Sequence, residues 1–104
     1  MKYSLTVTNK FKKTFKLARK RGLNVNLLND IVDILQKGEE LDEKYCDHAL
    51  SGDYIGHREC HIQPDWLLIY RINNNDLILT LVATVKMLPY IFTPFYPNKT
   101  TILF

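Results

Sequence analysis

Residues 57–84, HRECHIQPDWLLIYRINNNDLILTLVAT, decide how the rest of the chain must fold. His57–Ile62 reads as a strand, Pro64–Asp65 is a turn pair, and Trp66–Ile72 is a strongly β-prone run. Asn73-Asn74-Asn75 turns the chain again, and Leu77–Thr84 closes the series. Just upstream, Leu50–Ile55 reads as another strand, joined to the next near Gly56. Strands linked by such short turns pair antiparallel, because a parallel partner would need a long crossover.

The first half of the chain has a different rhythm. Tyr3–Val7 alternates polar and apolar residues and is a short first strand. Thr8 or Asn9 can cap a helix whose apolar stripe is Phe11, Phe15 and Leu17–Ala18, with Gly22 placed to stop it. A second helix begins near Asn24 or Asn26. Val25, Leu28, Ile31, Val32 and Leu35 recur at three- and four-residue steps, and Gly38 ends it. A polar linker, Glu39–Asp47, follows. The order is β-α-α-β-β-β-β. It predicts an α+β domain with two N-terminal helices packed on one face of a mainly antiparallel four- to five-stranded sheet, leaving the opposite face open.

At 104 residues, with 46% hydrophobic and 24% charged residues, the chain has room for one hydrophobic core. The net charge of +3 is modest, but it is unevenly placed. Lys10, Lys12, Lys13, Lys16, Arg19, Lys20 and Arg21 fall in a stretch without acids, whereas acids gather between Asp30 and Asp47. Such a split suits an anionic partner, or simply a solvated helix face. The two cysteines, Cys46 and Cys60, form no CxxC pair, which argues against zinc or thiol redox chemistry. The N-terminus lacks the apolar run of a signal peptide, and no stretch approaches the roughly 20 apolar residues of a membrane span, so the expected compartment is the cytoplasm.

His48, His57 and His61 lie within fourteen residues, and Asp65 follows. Histidine is the side chain best suited to move protons near neutral pH. Alternation along the strand sends His57, Glu59 and His61 to one side and Arg58, Cys60 and Ile62 to the other. Cys60 and Ile62 suit the helix side, which leaves Glu59 and His61 on the open face. Cys60 and His61, being adjacent, would not meet as nucleophile and base. Zinc fails on pattern, with no HExxH and no cysteines grouped with the histidines. RNA transesterification needs a base for the 2′-hydroxyl, an acid for the leaving 5′-oxygen and cations around the phosphate, with no metal or cofactor. These residue types supply those groups, although spacing alone favours the structural or exposed reading, which holds for most histidines.

Asp47-His48-Ala49-Leu50-Ser51-Gly52, continuing through Arg58-Glu59-Cys60-His61-Ile62-Gln63-Pro64-Asp65-Trp66-Leu67-Leu68-Ile69-Tyr70, closely resembles the YafQ-type toxins of the RelE family. Their signature runs D-H-P-L-x-G, then R-[DE]-x-H-[VIL]-x-P-D-[WL]-[IL]-L-[IV]-Y, and Ala49 replaces the usual proline. The resemblance covers about residues 1–84. It implies a ribosome-dependent mRNA endoribonuclease, held inactive by a cognate antitoxin and reaching operator DNA only through that antitoxin. It assigns catalytic roles to His48, His61 and Asp65. Lys10, Lys12, Lys13, Lys16, Arg19, Lys20 and Arg58 are the candidate RNA-binding cations.

The departure begins at Val85. Where the family ends in T-G-[ST]-H-x-x-L-F, this chain reads Val85-Lys86-Met87, so the resemblance puts the family's third histidine at Met87. A thioether cannot transfer a proton. The family's following phenylalanine falls near Ile91 or Phe92. Residues 85–104 contain no acid, hold Pro89, Pro94 and Pro97, and are unlike the rest. The division is therefore a toxin domain over 1–84 and an atypical apolar, proline-containing tail over 85–104. The loss of register reads as translation in a shifted frame; a gene sequence in which no frame after Thr84 restores Gly-Ser-His would reject that origin. Activity is expected to be impaired. The alternative is an inactive module that captures antitoxin. A further use of the tail, through Leu88, Tyr90, Ile91, Phe92, Phe95 and Tyr96, would be self-association.

Overall fold

The computed structural model describes residues 2–87. Strand β1 (Ser4–Val7) leads into helices α1 (Asn9–Lys20) and α2 (Val25–Gln36). Strands β2 (His48–Ala49), β3 (Arg58–Gln63), β4 (Trp66–Asn73) and β5 (Ile78–Lys86) follow. Local chemistry sets the helix ends. The Thr8 hydroxyl oxygen accepts from the Phe11 N–H at 3.0 Å, capping α1, and the same hydroxyl donates to the Val82 carbonyl at 2.7 Å. The cap thus also fastens α1 to β5. Asn24 caps α2 by accepting from the Asn26 N–H at 3.1 Å. Gly38, at φ +79°, ends α2 in a left-handed conformation, and a Cβ there would come within 2.5 Å of the Lys2 side chain.

Among the described residues the strands form one five-stranded sheet in the order β1-β5-β4-β3-β2. The β1–β5 pair is parallel and the others are antiparallel. Both helices lie on one face. There Phe11, Ala18, Leu28, Ile31, Val32 and Leu35 pack with Cys60, Ile62, Trp66, Leu68, Tyr70, Leu79 and Leu81. Leu17, counted in the α1 stripe from its spacing, is 45% exposed and stands off that core. No helix among the described residues is long and apolar enough to cross a membrane.

Two expectations need correction. Leu50–Ile55 is not a strand. The short β2 ends at Ala49, the Leu50 N–H bonds to the His57 carbonyl, and the chain enters a 3₁₀ turn over Gly52–Tyr54. Gly52 at φ +65° is incompatible with extended chain, and Ser51-Gly52-Asp53 is turn chemistry that the apolar flanks had masked. Nor is the face opposite the helices open. Leu50, Leu67, Ile69, Ala83, Val85 and Met87 are buried there as a second cluster, with Tyr54 and Val82 packed against it. The five consecutive buried residues Trp66–Tyr70 are what a strand covered on both faces requires. Glu59, expected on an open face, is accordingly 1% exposed.

A β-bulge governs the end of β5. Ile69 pairs with Ala83 but Tyr70 pairs with Leu81, so Val82 is an extra residue on β5. Leu79 and Leu81 therefore face the helices, whereas Ala83, Val85 and Met87 face the other cluster. Uninterrupted alternation would have placed all five on one side. The strand also runs through Val85 and Lys86, past the Thr84 boundary read from the sequence.

Candidate active site

His48 and His61 come together on the sheet face opposite the helices. His48 lies on β2 directly across from Glu59 of β3, and His61 lies two residues further along β3, across from Leu67. Their ring centroids are 6.4 Å apart. The His48 Nδ1 donates to the Cys46 carbonyl at 2.6 Å, since a carbonyl oxygen only accepts. Its Nε2 lies 3.2 Å from Glu59 Oε1. Burying the Glu59 carboxylate would be costly without such a partner. The His61 Nδ1 donates to the Pro64 carbonyl at 3.2 Å, which sets the tautomer so that protons exchange at Nε2.

Asp65, in the turn between β3 and β4, forms a corner with the end of β5. Its carboxylate pairs with Lys86 Nζ at 2.7 Å, and its carbonyl accepts from the Met87 N–H at 2.7 Å. Met87 is buried, on the same face as His48 and His61. Behind the corner, the Trp66 indole N–H donates to the Thr84 hydroxyl at 2.8 Å, and that hydroxyl donates to the Leu67 carbonyl at 2.8 Å. The third histidine does not join. His57 bonds back to the Tyr54 carbonyl at 3.2 Å and lies four residues, roughly 13 Å at about 3.3 Å per residue, along the chain from His61.

The candidate cations divide. Lys10, Lys12, Lys13, Lys16, Arg19 and Lys20 are exposed on α1, which packs against β5. Arg58 is on the helix side of the sheet. There its Nε and one terminal nitrogen reach Asp47 Oδ2 at 3.3 and 3.1 Å, and Tyr70 donates its hydroxyl to Asp47 Oδ1. Burial lowers the affinity of Arg58 for its proton, but hydrogen bonds and charge attraction from Asp47 and Tyr70 outweigh it and hold the guanidinium above its ordinary value. Burial, followed by the contact with Asp47, pushes the Tyr70 phenol up. Burial also pushes the Cys60 thiol up, against nucleophilic use.

Sequence reasoning missed Lys86 and the burial of Glu59. Lys86 enters the site only through its pairing with Trp66, a register that the Val82 bulge determines. A cavity of about 530 Å³ lies elsewhere, beside Tyr70 on the helix side, bordered by Glu39, Glu40, Asp42, Glu43 and Asp47. Its acidic rim repels phosphates. Among the described residues no group of three or more His, Cys, Asp or Glu side chains is arranged to hold a metal ion.

Two histidines with a buried carboxylate, and an Asp–Lys corner beside them, sit where the motif from Asp47 to Tyr70 crosses the sheet. Residues 3–88 match the family described as "Bacterial toxin of type II toxin-antitoxin system, YafQ". The chain belongs to the YafQ family. It is 35% identical over 71 residues to the mRNA interferase toxin YafQ of Escherichia coli K12, covering 67% of this chain and 77% of that one. The crystal structure of YafQ from E. coli BL21(DE3) aligns with a TM-score of 0.75 at 30% identity, over 88% of this chain and 99% of that chain. YafQ in the E. coli DinJ–YafQ toxin–antitoxin complex aligns with a TM-score of 0.73 at 31% identity, over 83% and 93%. These YafQ relatives share the two helices and the mixed sheet, and the family match ends one residue beyond Met87. The readings placed on residues 88–104, including self-association and the phenylalanine near Ile91 or Phe92, lie outside the described residues.

Proposed function

We propose that this chain is the toxin of a type II toxin–antitoxin pair and an endoribonuclease that cuts mRNA on the ribosome by metal-independent acid/base chemistry, weakened by Met87. The convergence of His48 and His61 on one face, beside Asp65, is the observation that carries this reading. In it His61 exchanges a proton with the RNA through Nε2. His48, held between Cys46 and Glu59, presents an oriented ring next to the scissile phosphate. Lys86, steadied by Asp65, brings a cation to the same corner. The exposed lysines and arginine of α1 would contact RNA backbone at a distance from the cleavage point.

Met87 has the right place and the wrong chemistry. It faces the histidine side of the sheet, where the family resemblance puts a histidine, and loss of one acid/base group costs about 10²–10⁴-fold in rate. Purified ribosomes programmed with mRNA should show slow cleavage by this chain, and Met87→His should accelerate it by at least about tenfold. Fast cleavage by the unaltered chain, abolished by His61→Ala, would overturn the claim of impairment.

A second reading is favoured by the fold, since β5 runs intact through the replaced residues Val85 and Lys86 up to Met87. The chain would bind its cognate antitoxin, and operator DNA through it, without cutting RNA. Co-purification with an adjacent antitoxin, together with no cleavage even after Met87→His, would select this reading. In either case the expected place of action is the cytoplasm.

A further inference from the structure

The segment that carries His48 is held from the far side of the sheet. Arg58 and Tyr70 are direct partners across β3 and β4, and both side chains lie on the helix face. They converge on one carboxylate, Asp47, with Arg58 on Oδ2 and the Tyr70 hydroxyl on Oδ1. Asp47 immediately precedes His48, and alternation through β2 sends the His48 ring to the opposite face. On the other side of Asp47, Cys46 is held at φ +49°, a left-handed conformation that non-glycine residues rarely adopt. Its carbonyl is the one that receives the His48 Nδ1–H.

From this geometry we infer that Arg58 and Tyr70 are positioning residues for His48, acting through Asp47. The carboxylate is a fulcrum. Gripped on the helix face, it fixes where the backbone of residues 46–48 crosses the edge of the sheet. That placement brings His48 Nε2 to 3.2 Å from Glu59 and its ring to 6.4 Å from His61. Neither Arg58 nor Tyr70 needs to touch RNA. A strictly structural role for the trio would lower stability and leave the surroundings of His48 unchanged. A positioning role ties the His48–Glu59 contact to a hydroxyl on the other face.

The inference rests on the catalytic role proposed for His48, but its test does not require cleavage. The groups facing the His48 ring are Glu59 and His61 from β3 and the Cys46 carbonyl from its own segment. Long-range ¹H–¹⁵N spectra of the full chain follow the ring nitrogens and protons of each histidine. Glu59→Gln provides the reference change for a His48 ring without its carboxylate partner. Tyr70→Phe and Asp47→Asn should move the His48 ring signals by at least half of that reference change, with the His61 signals moving less. His48 ring signals equal to the parent's in a folded Tyr70→Phe protein would overturn the inference. Tyr70→Phe removes one oxygen atom and keeps the ring, so it decides the matter even if Asp47→Asn does not fold. In the Met87→His background, Tyr70→Phe should lower kcat several-fold with KM unchanged. If His48→Ala leaves cleavage intact there, the catalytic reading of His48 fails while the spectra still judge the clamp.

Discussion

Tyr70 and Cys60 are neighbours in the helix-side core whose burial carries a thermodynamic consequence. Both groups bind their protons more tightly in the fold than in the unfolded chain, where they titrate near 10.0 and 9.0. Above those values the unfolded chain holds fewer protons than the folded one, so stability falls as pH rises. Each group should contribute a loss of up to about 1.4 kcal/mol per pH unit above its own unfolded value. Urea unfolding at pH 8 to 11 would measure the slope, and Cys60→Ala or Tyr70→Phe should each make it shallower. At pH 8, Tyr70→Phe should itself cost about 1.5–3 kcal/mol, the usual range for a hydrogen bond to a charged group. The thiols should also separate chemically. Cys46 is exposed and Cys60 is not, so native protein should take up one equivalent of a thiol reagent and a second only in denaturant. Rapid labelling of both in the native state would contradict the burial of Cys60.

Thr8 joins two elements with one hydroxyl, capping α1 and holding β5 at its bulge. Thr8→Ala should therefore cost about 1–2 kcal/mol, at the upper end for a helix cap, seen as a lower urea midpoint with an unchanged slope. Helix ends of this kind were legible in the sequence because their signals are local. Thr8, Gly22, Asn24 and Gly38 act on the backbone within a turn or two, and the structure places each at a helix end. The hairpin of β4 and β5 was legible for the same reason, from Asn73-Asn74-Asn75 between two β-prone runs. The strand expected at Leu50–Ile55 failed because Ser51-Gly52 outweighs the apolar residues around it. His61 could be placed on the face away from the helices by alternation alone, whereas His48, outside every strand read from the sequence, owes its place to its pairing with Glu59. Lys86 and Met87 could not be placed by alternation, because counting in twos breaks at Val82, and nothing in the sequence marks the extra residue. The burial of Glu59 depends on the second apolar layer and was invisible for that reason.

At the scale of the molecule, charge and fold are arranged in opposition. The cations of α1 are exposed, and the acids of the 39–47 linker border a cavity beside Tyr70. If the α1 face meets RNA phosphates, Lys12→Glu with Lys16→Glu should weaken RNA binding at least about tenfold. It should also make the fall of affinity with salt shallower by about 0.7 for each phosphate that is no longer neutralised. Filter binding at several salt concentrations reads both, and an unchanged slope would mean that α1 does not touch phosphates. The bulge at Val82 has a different reach. Because which side each residue presents beyond it depends on an odd or even count, the length of this stretch matters more than its composition. Exchanging Ala83 or Val85 for another small apolar residue leaves every neighbour where it was. Deleting one residue between Leu81 and Val85 would absorb the bulge and leave Val85, Lys86 and Met87 on their present sides, whereas inserting one would turn the end of β5 inside out, driving Lys86 toward the buried layer and Met87 away from the histidines.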